Sequence, residues 1–252
     1  YVQELGYYLM LYSAKDTDKI FQMVMGWDVD GVIAISFSKS NCEKIYQLIN
    51  KPIVSIDAYG ELDAGQENHV LNIGLDDESG GYLMTKYLLE CGYEHIQVCA
   101  GRDNGVDHFR YMGAQRAAKE FAGKKQKVQF TALGMNYAKR KESYAWLIQR
   151  KKPKTALFFL SDLYALEAIS FFSSRGVKIP EEIGIAGYDN ISYAEFSVPR
   201  LTTISQNVEQ KASLAVEILM ERINGVEKER ENEIELPVTL IPRKSVQPQD
   251  EN

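Results

Sequence analysis

Short apolar runs rich in β-branched residues recur along this chain, and each gives way to a polar stretch and then to a helix-like pattern. The clearest are residues 31–36 (GVIAIS), 53–56 (IVSI), 96–100 (IQVCA), 155–160 (TALFFL) and 183–187 (IGIAG). Runs without polar alternation predict strands buried on both faces, and such strands belong to parallel sheets covered by helices. Parallel neighbours need a long crossover, which segments 16–25, 41–49, 77–90, 106–121, 141–150, 162–174 and 208–224 supply as helices. Further strands are expected at 7–12, 69–73, 127–132 and 201–205. An alternating run at 234–241 (IELPVTLI) is interrupted by Pro237. This is the order of an α/β fold with doubly wound, Rossmann-like parallel sheets.

Some local features sharpen the reading. Residues 1–5 before Gly6 look like the last turn of a helix with a glycine cap, so the chain opens inside an element and does not begin with Met. A doubly wound sheet would then lack its first strand, and the parent protein is expected to carry more N-terminal sequence. Asn41 is placed to cap the helix running to Ile49. The last helix presents Ala212, Ala215, Val216, Leu219 and Ile223 as its apolar face.

Charge and cysteine usage exclude several classes. With 35 Asp and Glu against 29 Lys and Arg, the net charge is −6, no electrostatic match for a phosphate backbone. The short basic runs at 124–127 (KKQK) and 150–152 (RKK) read as solvated helix ends. Three cysteines, Cys42, Cys91 and Cys99, without CxxC spacing argue against a disulfide framework or a zinc site. Cys99 reads as a small core residue. The chain shows no apolar run near membrane-spanning length and no signal peptide. A reducing cytoplasm fits best.

Motifs for dinucleotide, nucleoside triphosphate, serine-hydrolase or zinc-protease chemistry are absent, and no cofactor is expected. His69, His95 and His108 are scattered. The acidic run Asp76-Asp77-Glu78 reads as charge favoured at a helix N-terminus. What recurs is polar and aromatic residues just beyond strand ends: Ser36 and Phe37, Asp57, Arg102 with Phe109 and Arg110, Asn136 and Tyr137, Ser161 and Asp162, Tyr188 and Asp189. The Asp and Ser positions have an ordinary reading as helix caps. Their joint placement at the carboxyl edges of parallel strands, in both halves of the chain, points to a ligand cleft between two domains. Arg110 is the most telling, because a cation in the first turns of a helix opposes the dipole. A carboxylate or ligand partner would offset that cost. Phe37, Phe109, Tyr137 and Tyr188 would either stack on a sugar ring or base, or pack in the core.

The stretches 29–33 (VDGVI), 52–57 (PIVSID), 77–81 (DESGG), 110–113 (RYMG), 161–166 (SDLYAL), 177–182 (VKIPEE), 187–190 (GYDN) and 199–204 (PRLTTI), the last followed by Gln206, span nearly the whole chain in order. Together they resemble the effector-binding region of lac repressor/purine repressor-type transcriptional regulators, a type I periplasmic-binding-protein-like fold. The resemblance implies two subdomains joined by three crossover strands. One comprises residues 1–75 plus 207–237, without its first strand and most of its first helix; the other comprises 76–206 plus 238–252. It implies a small-molecule effector, a sugar or sugar derivative ahead of a purine, gripped by Arg110 with Asp189 opposite and Asp57 contributing from the first subdomain. Ser161 stands where the family often has Asn, and Asn207 where it often has Pro. The resemblance further implies a homodimer, no enzymatic activity and no membrane partner. Operator DNA would be reached through a helix-turn-helix that has no counterpart in this chain. Two other classes stand beside this one: an extracytoplasmic sugar-binding protein of a transporter, which a signal peptide would mark, and a sugar-modifying α/β hydrolase, which would turn its ligand over.

Overall fold

A computed structural model describes residues 2–13, 16–121, 126–226 and 228–248. The chain forms two compact units, Tyr1–Leu75 with Asn207–Leu236 and Asp76–Gln206 with Pro237–Asn252, and passes from one to the other three times. Pro237 thus opens the last segment of the second unit instead of closing the first.

The first unit contains α1 (Thr17–Gly26), β1 (Val32–Ile35), α2 (Lys39–Ile49), β2 (Ile53–Ile56), β3 (Leu71–Leu75), α8 (Val208–Ile223) and β9 (Glu233–Leu236). Its sheet runs β1-β2-β3-β9, all parallel. Every residue of β2 is buried, so both sheet faces need cover. Cys42 and Ile45 of α2 pack with Ala34, Ile53 and Val70, and α8 lies against β1 and β2.

Five expectations change here. The run 7–12 forms no strand, and residues 8–12 are exposed, Tyr8 at 93%. An apolar run becomes a strand only where a neighbour takes up its backbone groups, and no described residue pairs with it. For the same reason the described sheet of this unit runs in one direction without the reversal of a doubly wound fold. Residues 2–6 are turn, not a helix end, with Gly6 at φ +84°; Tyr1 lies outside the described residues. Helix α2 starts earlier than expected: Ser38 is its cap, accepting from the Asn41 N–H at 3.2 Å. Finally, α8 buries Lys211, Ala215, Ile218 and Leu219, while Ala212 is exposed.

The second unit contains α3 (Asp77–Glu90), β4 (His95–Ala100), α4 (Gly105–Glu120), β5 (Lys127–Ala132), α5 (Tyr137–Gln149), β6 (Thr155–Phe159), α6 (Asp162–Ser173), β7 (Gly184–Ala186), the short α7 (Ser192–Phe196), β8 (Thr203–Ser205) and β10 (Thr239–Ile241). Its parallel sheet runs β5-β4-β6-β7, and β8 pairs antiparallel with β10. Residues 122–125, which include Lys124 and Lys125 of the basic run 124–127, lie outside the described residues. Tyr144, Phe159, Phe171 and Phe172 form an aromatic core between α5, β6 and α6. Cys99 is enclosed in β4 as expected. Helix α5 begins four residues before the sequence expectation because Asn136 caps it, accepting from the Lys139 N–H. The alternating run 234–241 splits at Pro237, one half joining each unit.

Here the strand order does reverse. The chain steps from β4 outward to β5 and then returns to the other side of β4 as β6. The loops after β4 and β6 therefore flank a topological switch point, where open α/β sheets hold their ligands.

Candidate functional site

Arg110, in the second turn of α4, reaches the switch point of the second unit. The residue is only 7% exposed. Nε donates to Asp77 Oδ1 at 2.8 Å, Nη1 donates to the Leu160 carbonyl at 2.9 Å, and the plane lies 3.7 Å from the centroid of the Tyr188 ring. Tyr188 Oη also donates to Asp77 Oδ1, at 3.1 Å. Burial, the largest single influence, opposes the charge of Arg110, but Asp77, Tyr188 and Asp189 together outweigh it and hold the guanidinium protonated. The carboxylate partner expected from helix electrostatics is thus present, and it is Asp77 of α3. Two glycines permit the approach. A Cβ on Gly81 would stand 1.8 Å from the Arg110 carbonyl oxygen, and one on Gly80 would stand 2.2 Å from Tyr188 Oη.

Asp189 follows β7 with φ +124°, a conformation that non-glycine residues adopt where surrounding structure enforces it. Its backbone N–H donates to the Ile204 carbonyl. Oδ2 accepts from Ser161 Oγ at 3.1 Å and the Asp162 N–H at 3.3 Å, and Oδ1 accepts from Gln206 Nε2 at 2.6 Å. Burial raises its carboxyl above the usual range against the opposing pull of Arg110. Asp107, one turn before Arg110, has an oxygen 3.7 Å from Nη1, and burial pushes its carboxyl up to about 6.

Asp162 and Tyr188 serve differently from expectation. Asp162 is 0% exposed; Oδ1 accepts from Thr203 Oγ1 at 2.6 Å and Oδ2 from the Ile191 N–H at 2.9 Å. It ties α6 to the loop after β7 and to β8, presenting no oxygen to solvent. Tyr188 is fully buried with Arg110 on its ring, so that ring is no open stacking face.

In the first unit, Ser36 and Asp57 stand at the carboxyl ends of β1 and β2, both left-handed with φ +56° and +52°. Phe37 is half-buried against that unit's core. Asp57 Oδ2 accepts from Lys211 Nζ at 2.7 Å. Lys211 was missed by sequence reasoning, although a lysine four residues before buried Ala215 interrupts the helix's apolar stripe and was a usable signal. Asp77 and Gln206 were visible only within acidic and hinge motifs.

Other candidates are more peripheral. Arg102 is exposed in the loop after β4, and Phe109 and Tyr137 are about half-exposed. Asn136 spends its side-chain oxygen on the α5 cap. His108 contacts Asp103 at 2.8 Å, and His69 contacts Glu43. Among the described residues no group of His, Cys, Asp and Glu could hold a metal ion, and no helix is long and apolar enough to cross a membrane.

Comparison with known proteins places this arrangement in context. A family model described as a periplasmic binding protein-like domain matches residues 85–246. The HTH-type transcriptional repressor PurR of Pasteurella multocida is 32% identical over 253 residues, covering 96% of this chain and 72% of that protein. A LacI family transcriptional regulator from Enterococcus faecium with bound ribose aligns with a TM-score of 0.83 at 24% identity, covering 99% of this chain and 91% of the other. A periplasmic binding protein/LacI transcriptional regulator from Alkaliphilus metalliredigens complexed with D-xylulofuranose aligns with a TM-score of 0.79 at 27% identity, covering 97% and 89%.

Proposed function

Because this chain belongs to the lac repressor/purine repressor-type family of transcriptional regulators, as its effector-binding region, we propose that it senses a sugar or sugar derivative and thereby modulates operator binding by the full-length protein. The carrying observation is the switch point of the second unit. There Asp189, held by Ser161 and Gln206, stands in the electrostatic field of Arg110. Carboxylates held at a strand's carboxyl end suit the hydroxyl groups of a sugar. The sugar-bound neighbours support the same reading.

In this reading Ser36, Phe37, Asp57, Arg102, Phe109, Arg110, Asn136, Tyr137, Ser161 and Asp189 are the contact candidates, with Asp162 and Tyr188 holding the loop behind them. Regulation then follows if the effector binds two conformations with different affinity. A homodimer in the cytoplasm, without enzymatic turnover, completes the proposal. The relatives' description as HTH-type repressors weighs against a transporter's binding protein.

A purine is the second reading, favoured by the PurR relative and by the exposed faces of Phe109 and Tyr137. Thermal melting with D-ribose, other aldoses, hypoxanthine and guanine separates the two. Ligand at 100 times its Kd is expected to stabilise by about 2.7 kcal/mol, and Asp189→Asn to abolish the effect. No stabilisation by any sugar or purine would overturn the proposal.

A further inference from the structure

We infer that the effector carries no negative charge and meets this site with hydroxyl or N–H donors, so that phosphorylated or carboxylated derivatives are rejected. The inference rests on the effector reading above and narrows its chemistry.

The buried cations at the two sheet edges are already matched. Arg110 spends Nε on Asp77 at 2.8 Å and Nη1 on the Leu160 carbonyl, and Tyr188 covers its face. In the first unit, Lys211 is spent on Asp57 at 2.7 Å. What surrounds Arg110 beyond its partner is acidic, namely Asp107 at 3.7 Å and Asp189 close enough to act on its charge. One guanidinium therefore lies 2.8 Å and 3.7 Å from two carboxylates and within the field of a third.

Two other usual anion donors, the N-termini of α6 and α3, are occupied from within the chain. A helix N-terminus is a ready seat for phosphate. At α6 that seat is filled by the Asp189 carboxylate, which takes the Ser161 hydroxyl and the Asp162 N–H. At α3 Asp76 accepts from the Ser79 N–H, and Asp77 stands in the first turn. An incoming phosphate would meet carboxylates in a poorly solvated setting, where like charges repel more strongly than in water. A hydroxyl or N–H donor meets acceptors with lone pairs to spare, since a carboxylate accommodates about four hydrogen bonds and Asp189 accepts three. Arg102 in the loop after β4 is exposed, where water and salt screen its charge.

The test is isothermal titration of the chain with matched pairs at constant ionic strength: D-ribose and D-ribose 5-phosphate, D-glucose and D-glucose 6-phosphate, hypoxanthine and inosine monophosphate. For the pair whose neutral member binds, the phosphorylated member is expected to bind at least about tenfold more weakly, and Asp107→Asn is expected to narrow that gap. A phosphorylated member that binds as tightly as its parent, or more tightly and only while Arg102 is present (lost in Arg102→Gln), overturns the charge inference and leaves the effector reading standing. Failure of every member of every pair to bind overturns both.

Discussion

The Arg110 guanidinium stacks on the Tyr188 ring at 3.7 Å, joining the start of α4 to the loop after β7. Both residues donate to the same oxygen, Asp77 Oδ1, from a third element. Cation, ring and carboxylate thus form one knot, in which desolvation of the charge is offset by an ion pair and a cation–π contact.

Asp77→Ala is expected to destabilise the second unit by about 3 kcal/mol, because it leaves Arg110 charged, buried and without its carboxylate. Combining it with Arg110→Met should cost less than the sum of the two, since the orphaned charge is then gone. Urea unfolding of the four proteins checks both. Strict additivity would show that the pair is not coupled.

The close approach of α3 and α4 gives a steric expectation. Gly81→Ala places a methyl group 1.8 Å from the Arg110 carbonyl oxygen, and backbone cannot yield as a side chain can. A loss of about 3 kcal/mol is expected, at the upper end of ordinary overpacking. Gly101→Ala, whose Cβ would meet only Met135 Sδ at 3.7 Å, should stay within about 0.5 kcal/mol of the parent. Similar denaturation midpoints for the two variants would contradict the packing described.

Stability should respond to pH through Asp162. Burial pushes its carboxyl up to about 7, only partly opposed by the hydrogen bonds from Thr203 and Ile191. The folded value exceeds the ordinary 3.8, so the folded state binds this proton more tightly than the unfolded chain. The resulting stabilisation is complete below pH 3.8 and lost as pH rises through about 7. In Asp162→Asn the amide can donate to Thr203 Oγ1 and accept from the Ile191 N–H, so the contacts survive without the charge. The difference in unfolding free energy between variant and parent should therefore swing in favour of Asn as pH climbs across that window. A constant difference would show that Asp162 does not titrate there.

The Lys211–Asp57 pair should be asymmetric. The lysine side chain is 5% exposed and the aspartate 29%. Asp57→Ala strands a buried ammonium and is expected to cost about 3 kcal/mol. Lys211→Met leaves a carboxylate that can still be hydrated and fills the space with an apolar chain, so the expected change is below about 1 kcal/mol. Thermal denaturation of the two variants decides it, and equal losses would refute the argument.

Much of the local structure was legible because strand and helix periods depend on neighbouring residues alone. Residues 53–56, 77–90 and 127–132 form β2, α3 and β5 with the expected bounds. Caps were less secure. Ser38 and Asn41 are both good cap residues, and only the actual first turn of α2 chose between them. The run 7–12 has a strand's composition, but a strand also needs a paired edge, which no local pattern specifies.

For the site, the sequence by itself determined which residues end the strands and that Arg110, a cation at a helix start, calls for a carboxylate or ligand partner. Tertiary structure alone decided that the counterpart is Asp77, that Asp162 is an enclosed strut, and that Lys211 enters a core. Those pairings bring together residues 33, 41 and 154 positions apart. Which carboxylate reaches which cation depends on how close the helices can come, and here the glycines of α3 set that distance. Periodicity records what a residue can pair with; packing selects the partner.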